Sequence, residues 1–151
     1  MGGFIEWLVT CPLARFFPER YRVVPRIDDG RPMLRQFRLF SWWYLQSFCC
    51  EDQVDEFHRH RWSRMYSIVL SGSFVEERYP GELYIPHSAP SLYTMTDTVI
   101  HRIAYVAPRT WTLFFMLGNS RQWGYYRRPE YLYTPWYDAV PKNIRVKSFD
   151  K

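Results

Sequence analysis

The chain has 151 residues, enough for one domain with a hydrophobic core. Its 47% hydrophobic and 20% aromatic content argues against disorder over most of its length. The formal net charge is +5, but the arginines are scattered and form no long basic run. A basic protein can bind nucleic acid or phosphorylated ligands, yet this distribution is more typical of a solvated surface.

The cysteines and the N-terminal segment bear on the compartment. Cys11, Cys49 and Cys50 are odd in number and two are adjacent, which makes a poor disulfide framework and indicates a reducing environment. The N-terminal apolar run is interrupted at Glu6 and ends at Pro12, so it is too short to span a bilayer and lacks the basic start of a signal peptide. We therefore predict a cytoplasmic protein with a short amphipathic helix at its N-terminus.

The order of segments predicts a single domain over residues 1–151, with an N-terminal extension at 1–33, a barrel at 34–135 and a C-terminal tail at 136–151. Short segments rich in β-branched and aromatic residues follow the extension, separated by Pro, Gly, Asp and Asn. They are MLRQFRLF, WWYLQSF, MYSIVLSG, SFVEERY, ELYIP, SLYTM, TVIHRIAYV, TWTLFFML, QWGYY and EYLY. About nine or ten strands at this spacing predict an all-β sandwich or small barrel.

Three of the four histidines suggest a metal site. His58 and His60 are two residues apart, so on a strand both side chains point to the same face. In TVIHRIAYV, His101 shares its alternating face with Ile103 and Tyr105. Should the two segments be neighbours in a barrel, three imidazoles would meet inside it and suit a first-row metal. The alternative is a basic surface strand that carries two incidental histidines.

This pattern resembles the cupin superfamily. Its first motif runs Gly, five residues, His-x-His, three or four residues, Glu, six residues, Gly, and His58, His60 and Gly72 fall in place here. His101 matches the histidine of the second motif, whereas Met65 stands where the glutamate would lie. The resemblance implies an all-β cupin double-stranded β-helix, a jelly-roll barrel, with the short N-terminal helical extension added. It also implies a metal bound by the three histidines.

A narrower resemblance covers residues 34–133. The blocks are similar to small cupin-like proteins often encoded by phages and bacteria, a family with no firmly assigned reaction. Those proteins carry an Asp-rich loop before HDHPW, then a Ser-x-x-Leu-x-Gly-x-Tyr-x-Glu hairpin, a His-Arg-Ile/Val strand, Trp-Thr-Leu and Trp-Gly-Phe. This chain departs from HDHPW at Arg59 and Arg61, and it has Ser63 where an acid is common.

A carboxylate offers a replacement for the missing glutamate. If Ser71-Gly72 turns a hairpin, Glu76 faces inward with Ser67 and Glu77 faces solvent. A carboxylate inside an apolar barrel must be paired or bind a metal, so Glu76 is the candidate fourth ligand. The alternatives are an outward Glu76 paired with an arginine, or a three-histidine site without any carboxylate.

Other residues are candidates for substrate binding. Arg121 could reach the barrel mouth and bind a carboxylate or phosphate, and Tyr105 and Trp123 could line a pocket, with surface and core positions as the alternatives. We expect Arg102 to make a structural ion pair facing away from the histidines. We expect His87, in a proline-rich segment, to face solvent from a loop.

These residues predict a mononuclear cupin with one divalent transition metal, Fe(II) ahead of Mn, Ni or Zn. With Fe(II), it could be a non-haem oxygenase acting on a small polar substrate. The alternatives are a metal-dependent isomerase or lyase, and a non-catalytic module that binds a sugar or nucleotide. We expect a small-molecule ligand and, by analogy, a homodimer, and we expect neither a membrane span nor a nucleic-acid partner.

Overall fold

The computed structural model describes residues 17–26, 29–52, 56–79, 83–118, 124–127 and 132–135. The predicted N-terminal helix and the C-terminal tail at 136–151 lie outside these residues. No helix within the described ranges is long and apolar enough to cross a bilayer.

The described residues are almost entirely β-structure. A short 3-10 turn at Pro18–Arg20 precedes twelve strands, more than the nine or ten expected. The strands are β1 (Tyr21–Pro25), β2 (Pro32–Phe40), β3 (Trp43–Phe48), β4 (Glu56–Arg59), β5 (Arg64–Ser71), β6 (Ser73–Arg78), β7 (Leu83–Ser88), β8 (Ser91–Thr96), β9 (His101–Val106), β10 (Thr110–Leu117), β11 (Gly124–Arg127) and β12 (Leu132–Pro135).

The strands form two antiparallel sheets of six. Sheet 1 has the order β1-β2-β3-β10-β5-β8, and sheet 2 has the order β12-β11-β4-β9-β6-β7. β1 lies within the predicted extension and pairs along β2, so it is part of sheet 1. The all-β prediction is confirmed. The closed barrel is not, because no pairing of the described strands joins the two sheets, which form an open sandwich.

The chain changes sheet at Gly72. β5 and β6 follow each other in sequence but belong to different sheets, so the predicted hairpin between them is wrong. Gly72 has φ +70, and a Cβ there would lie 2.7 Å from the Cα of Thr110, so the corner needs a glycine. The backbone N–H of Ser73 donates to the Thr110 hydroxyl at 3.2 Å and fixes the exit.

The core lies between the sheets. One cluster joins Val69 of sheet 1 to Phe74 and Ile103 of sheet 2, which packs the two layers directly against each other. A second cluster is built from buried side chains of sheet 1, namely Met65, Met95, Phe114 and Met116. Each buried side chain of this size contributes roughly 1.5–3 kcal/mol, so these contacts hold the layers in place.

Candidate metal centre

Three imidazoles converge in sheet 2. His58 on β4 is directly opposite His101, the first residue of β9, and His60 follows immediately after β4. One nitrogen from each of the three rings lies within 4.8 Å of the other two. The structure therefore brings together the three histidines that the sequence proposed as ligands. Their binding of a metal stays a prediction.

The spacing of one nitrogen pair already suits a metal. The Nε2 atoms of His60 and His101 are 3.1 Å apart. Two nitrogens bound at about 2.1 Å to one ion, with an angle of about 90–110°, lie roughly 3.0–3.4 Å apart. The ring of His58 lies beside this pair, with its centroid 4.6 Å from that of His101 and one nitrogen within 4.8 Å of the other two.

Burial keeps the rings of His58 and His60 in the form that binds cations. Desolvation, together with repulsion from His101, lowers the pKa of His60 to about 3. Desolvation, with repulsion from His101 and His60, holds the pKa of His58 well below its ordinary value. Both rings are therefore neutral at neutral pH, and a neutral imidazole is the form that coordinates a metal.

The carboxylate of Glu76 contacts three side chains behind the histidines, those of His101, Arg78 and His87. It is fully buried; its Oε1 lies 3.2 Å from Nδ1 of His101 and accepts a hydrogen bond from Nε of Arg78 at 2.9 Å. Its Oε2 lies 3.0 Å from Nε2 of His87. Burial raises the pKa of the Glu76 carboxyl, but the contacts with His101, His87 and Arg78 outweigh it and hold that pKa well below its ordinary value.

The carboxylate does not face the point where the three rings converge. Glu76 contacts the Nδ1 side of His101, whereas the Nε2 side of that ring faces His60. This is the place of a carboxylate that orients a metal-binding histidine rather than one that coordinates the ion. The position of Glu76 supports this orienting role. Its coordination of a metal stays a prediction.

Asp52 is a functional candidate that the sequence analysis missed. It is 6% exposed, its Oδ2 accepts a hydrogen bond from the backbone N–H of Ile103 at 2.6 Å, and that oxygen lies 3.6 Å from Nδ1 of His58. A second carboxylate thus stands behind a second histidine. The available signal was the acidic pair Glu51-Asp52 shortly before His58.

The prediction of a solvent-facing His87 is wrong. His87 is 8% exposed on β7, and its ring packs between Phe74 and Tyr93, with centroids at 4.8 and 4.3 Å. The neighbouring Pro86 suggested a loop, but β7 is an edge strand of sheet 2, where a proline is tolerated. His87 therefore belongs to the buried polar group around Glu76.

The outer face of sheet 2 carries an ion pair. Glu77 is 1% exposed and pairs with Arg102, so the expectation that it faces solvent is wrong. The ion pair expected for Arg102 is confirmed. Glu77 and Glu76 are adjacent buried carboxylates that point to opposite faces of the same strand, and only Glu76 reaches the histidines.

Of the three residues proposed for substrate binding, Tyr105 is described by the structure. Tyr105 is 54% exposed, so the inward orientation expected for it is wrong. The register shifts along β9, where Glu76 pairs with Ile103 but Val75 pairs with Tyr105. The extra residue is a β-bulge that reverses the alternation. Arg121 and Trp123 lie outside the described residues, and their roles stay predictions.

An apolar wall adjoins the histidines on the side of sheet 1. The ring centroids of Trp62 and Phe114 lie 6.0 and 6.3 Å from that of His60. Met65, at the position of the usual cupin glutamate, packs against Phe114 in the same cluster. The site is therefore polar behind the rings and apolar in front of His60.

No family model and no curated protein matches the chain. Several solved structures do match it. The nucleoside dehydratase Pac13 of Streptomyces, one of whose structures contains uridine, shares 15% identity over 78% of this chain and 87% of its own, with a TM-score of 0.45. A cupin-superfamily sugar phosphate isomerase of Silicibacter pomeroyi shares 11% over 80% of this chain and 93% of its own, with a TM-score of 0.39. Two facing antiparallel sheets with the histidines of both motifs brought together are a cupin-like fold.

Proposed function

We propose that this protein binds one divalent transition metal through His58, His60 and His101 and acts on a small polar substrate. The observation that carries the proposal is the convergence of three ring nitrogens within 4.8 Å, where burial keeps the rings of His58 and His60 neutral. A surface cluster of histidines would be protonated more easily and would not have carboxylates behind two of its rings.

The donor set leaves room for chemistry. Three protein ligands leave open positions at an ion, where a bound metal supplies Lewis acidity or, as Fe(II), dioxygen chemistry. Fe(II) remains our first choice, with Mn, Ni and Zn as alternatives. Within the chain, a Glu76 oxygen lies 3.2 Å from Nδ1 of His101 and an Asp52 oxygen lies 3.6 Å from Nδ1 of His58, where each carboxylate can orient its ring. The apolar side chains of Trp62 and Phe114 border His60.

Elemental analysis tests this function. Protein stripped by a chelator and reloaded with Fe(II), Mn, Ni or Zn should retain about one equivalent of one of these metals after gel filtration. His101→Ala should lose it, because the ring that faces both Glu76 and His60 is gone. His87→Gln is the matched control, since it changes the remaining histidine, leaves all three proposed ligands and keeps an N–H donor toward Glu76.

Retention of less than roughly a tenth of an equivalent of every metal by the wild type would contradict the proposal. Equal retention by wild type and His101→Ala would contradict the assigned site. Where Fe(II) is retained, oxygen consumption with a candidate substrate separates an oxygenase from an isomerase or lyase, neither of which consumes oxygen.

A further inference from the structure

A row of polar side chains crosses sheet 1. Arg22 on β1 pairs with Gln36 on β2, Gln36 pairs with Gln46 on β3, and Gln46 pairs with Thr112 on β10. Side chains at directly paired positions of an antiparallel sheet lie on the same face and within reach of one another. We call these four residues the polar row.

The polar row faces the interior. Thr112 lies two residues from Phe114 on β10, so the two side chains point to the same face. The ring of Phe114 belongs to the buried core and lies 6.3 Å from the ring of His60. At about 3.4 Å per residue, Thr112 is roughly 7 Å along the strand from Phe114, so the row adjoins the apolar wall of the candidate metal centre.

The two glutamines are mostly buried, and their amide oxygens are the atoms that hydrogen-bond within the row. Gln36 is 8% exposed, and its Oε1 accepts hydrogen bonds from Nε and Nη2 of Arg22 at 3.0 and 2.6 Å. Gln46 is 6% exposed, and its Oε1 accepts from the hydroxyl of the fully buried Thr112 at 3.2 Å. Neither amide nitrogen has a hydrogen-bond acceptor in the part of the protein that the structure describes.

Neither amide nitrogen is among the fully buried polar atoms that lack a partner, so both can be reached by water or by a ligand. An interior sheet position of this kind normally carries Val, Leu or Phe. The arginine can only donate, so it fixes the orientation of the Gln36 amide, with its oxygen toward Arg22 and its nitrogen turned away.

We propose that the polar row is a binding site for a small neutral molecule that offers hydroxyl or carbonyl oxygens to the amide groups of Gln36 and Gln46. Two neutral donors match neutral acceptors, and Arg22, the cation of the row, is already engaged by Gln36. The inference rests on the proposed function and deepens it, because it names the substrate class for the interior that the three histidines adjoin.

A double substitution tests the polar row. Gln46→Met with Thr112→Val removes both partners of one hydrogen bond and keeps their shapes, which is close to neutral or stabilising for a buried pair. Ser47→Ala is the control, since Ser47 is adjacent to Gln46 on the other face of β3. The probes are uridine, D-ribose and N-acetylglucosamine, with D-ribose 5-phosphate as an anion, measured by saturation-transfer NMR and titration calorimetry on the full chain.

We expect at least one neutral probe to bind the wild type and Ser47→Ala alike, and the double variant to bind it at least about ten-fold more weakly while its Tm is unchanged or higher. Three results would overturn the inference: no saturable binding of any neutral probe, equal binding to the double variant, or binding of the phosphate alone. A large loss of Tm in the double variant would also count against it, because it would give the row a structural role.

Failure of the metal proposal can be distinguished from failure of the polar row as a binding site. Each titration is repeated with chelator-treated protein, and metal retention is measured on the double variant. Neutral probes that bind without metal, together with no metal retention by the wild type, would remove the metal proposal and leave the polar row standing. Normal metal retention with no neutral ligand would do the reverse.

Discussion

At the scale of single residues, His101 decides how the candidate site is set up. Its Nδ1 lies 3.2 Å from a Glu76 oxygen, and its Nε2 lies 3.1 Å from Nε2 of His60. An ionised carboxylate draws the ring proton to Nδ1, which leaves the Nε2 lone pair for a metal. Because Arg78 and His87 hold Glu76 from the other sides, the carboxylate has little freedom to turn away.

Glu76→Gln should therefore weaken metal binding by about 10–100-fold, the usual effect of losing an outer carboxylate partner. Competition for Zn²⁺ against a chromophoric chelator measures this. Glu77→Gln is the matched control, because it removes a buried carboxylate one residue away that pairs with Arg102 on the opposite face. Glu77→Gln should lower the free energy of unfolding and leave the affinity unchanged; equal losses of affinity in both variants would refute the orienting role.

At the scale of elements, two glycines with a left-handed backbone conformation end strands of sheet 1. Gly72 stands between β5 and β6 with φ +70, and Gly118 follows β10 with φ +69. A Cβ at Gly72 would meet both the side chain and the backbone of Thr110, whereas a Cβ at Gly118 would meet only the side chain of Ser63. The first obstacle is rigid and the second can turn away.

Gly72→Ala should consequently destabilise the protein more than Gly118→Ala. The left-handed backbone costs each alanine about 1–2 kcal/mol, and the Thr110 backbone adds a clash that only a shift between the sheets can relieve. Urea unfolding of the two variants measures the difference. If Gly118→Ala were the more destabilising of the two, the sheet-switching corner would not be as tight as the structure indicates.

At the scale of the whole molecule, buried titratable groups make the fold sensitive to acid. His58 and His60 are held neutral in the folded state, with their pKa values lowered by burial and by neighbouring imidazoles. Glu76 is held ionised, with a lowered pKa. In the unfolded chain all three groups bind protons more readily, so acid favours unfolding through each of them.

The free energy of unfolding of the metal-free protein should therefore fall as the pH drops from about 6.5 toward 3. The histidines act first, below about 6.5, because their unfolded pKa lies there and that of His60 in the folded state is about 3. Glu76 adds its share below about 4.5. Urea titrations at several pH values measure this slope, and His60→Gln should reduce it between pH 6.5 and 5; a flat profile there would show that the rings are not held neutral.

The sequence was most informative where a local rule applied. Period-two alternation placed Ser67 and Glu76 on inward faces, and both are fully buried. It failed where one residue broke the period, as at the bulge that turns Tyr105 outward. The hairpin prediction at Gly72 reached the right orientations through the wrong pairing, because a corner between two sheets and a turn within one sheet use the same residues.

The sequence by itself determined the β-rich class and the inward faces of several strands. Through the resemblance of its His-x-His and His-Arg-Ile segments, it also identified the three histidines as candidate metal ligands. Only the tertiary structure decided that His58 pairs with His101, that Asp52 and Glu76 stand behind them, and that His87 is buried. The polar row across sheet 1 likewise depends on the pairing of four strands. The physical reason is that alternation is a property of a few neighbouring residues, whereas contacts between distant strands follow from the packing of the whole sandwich.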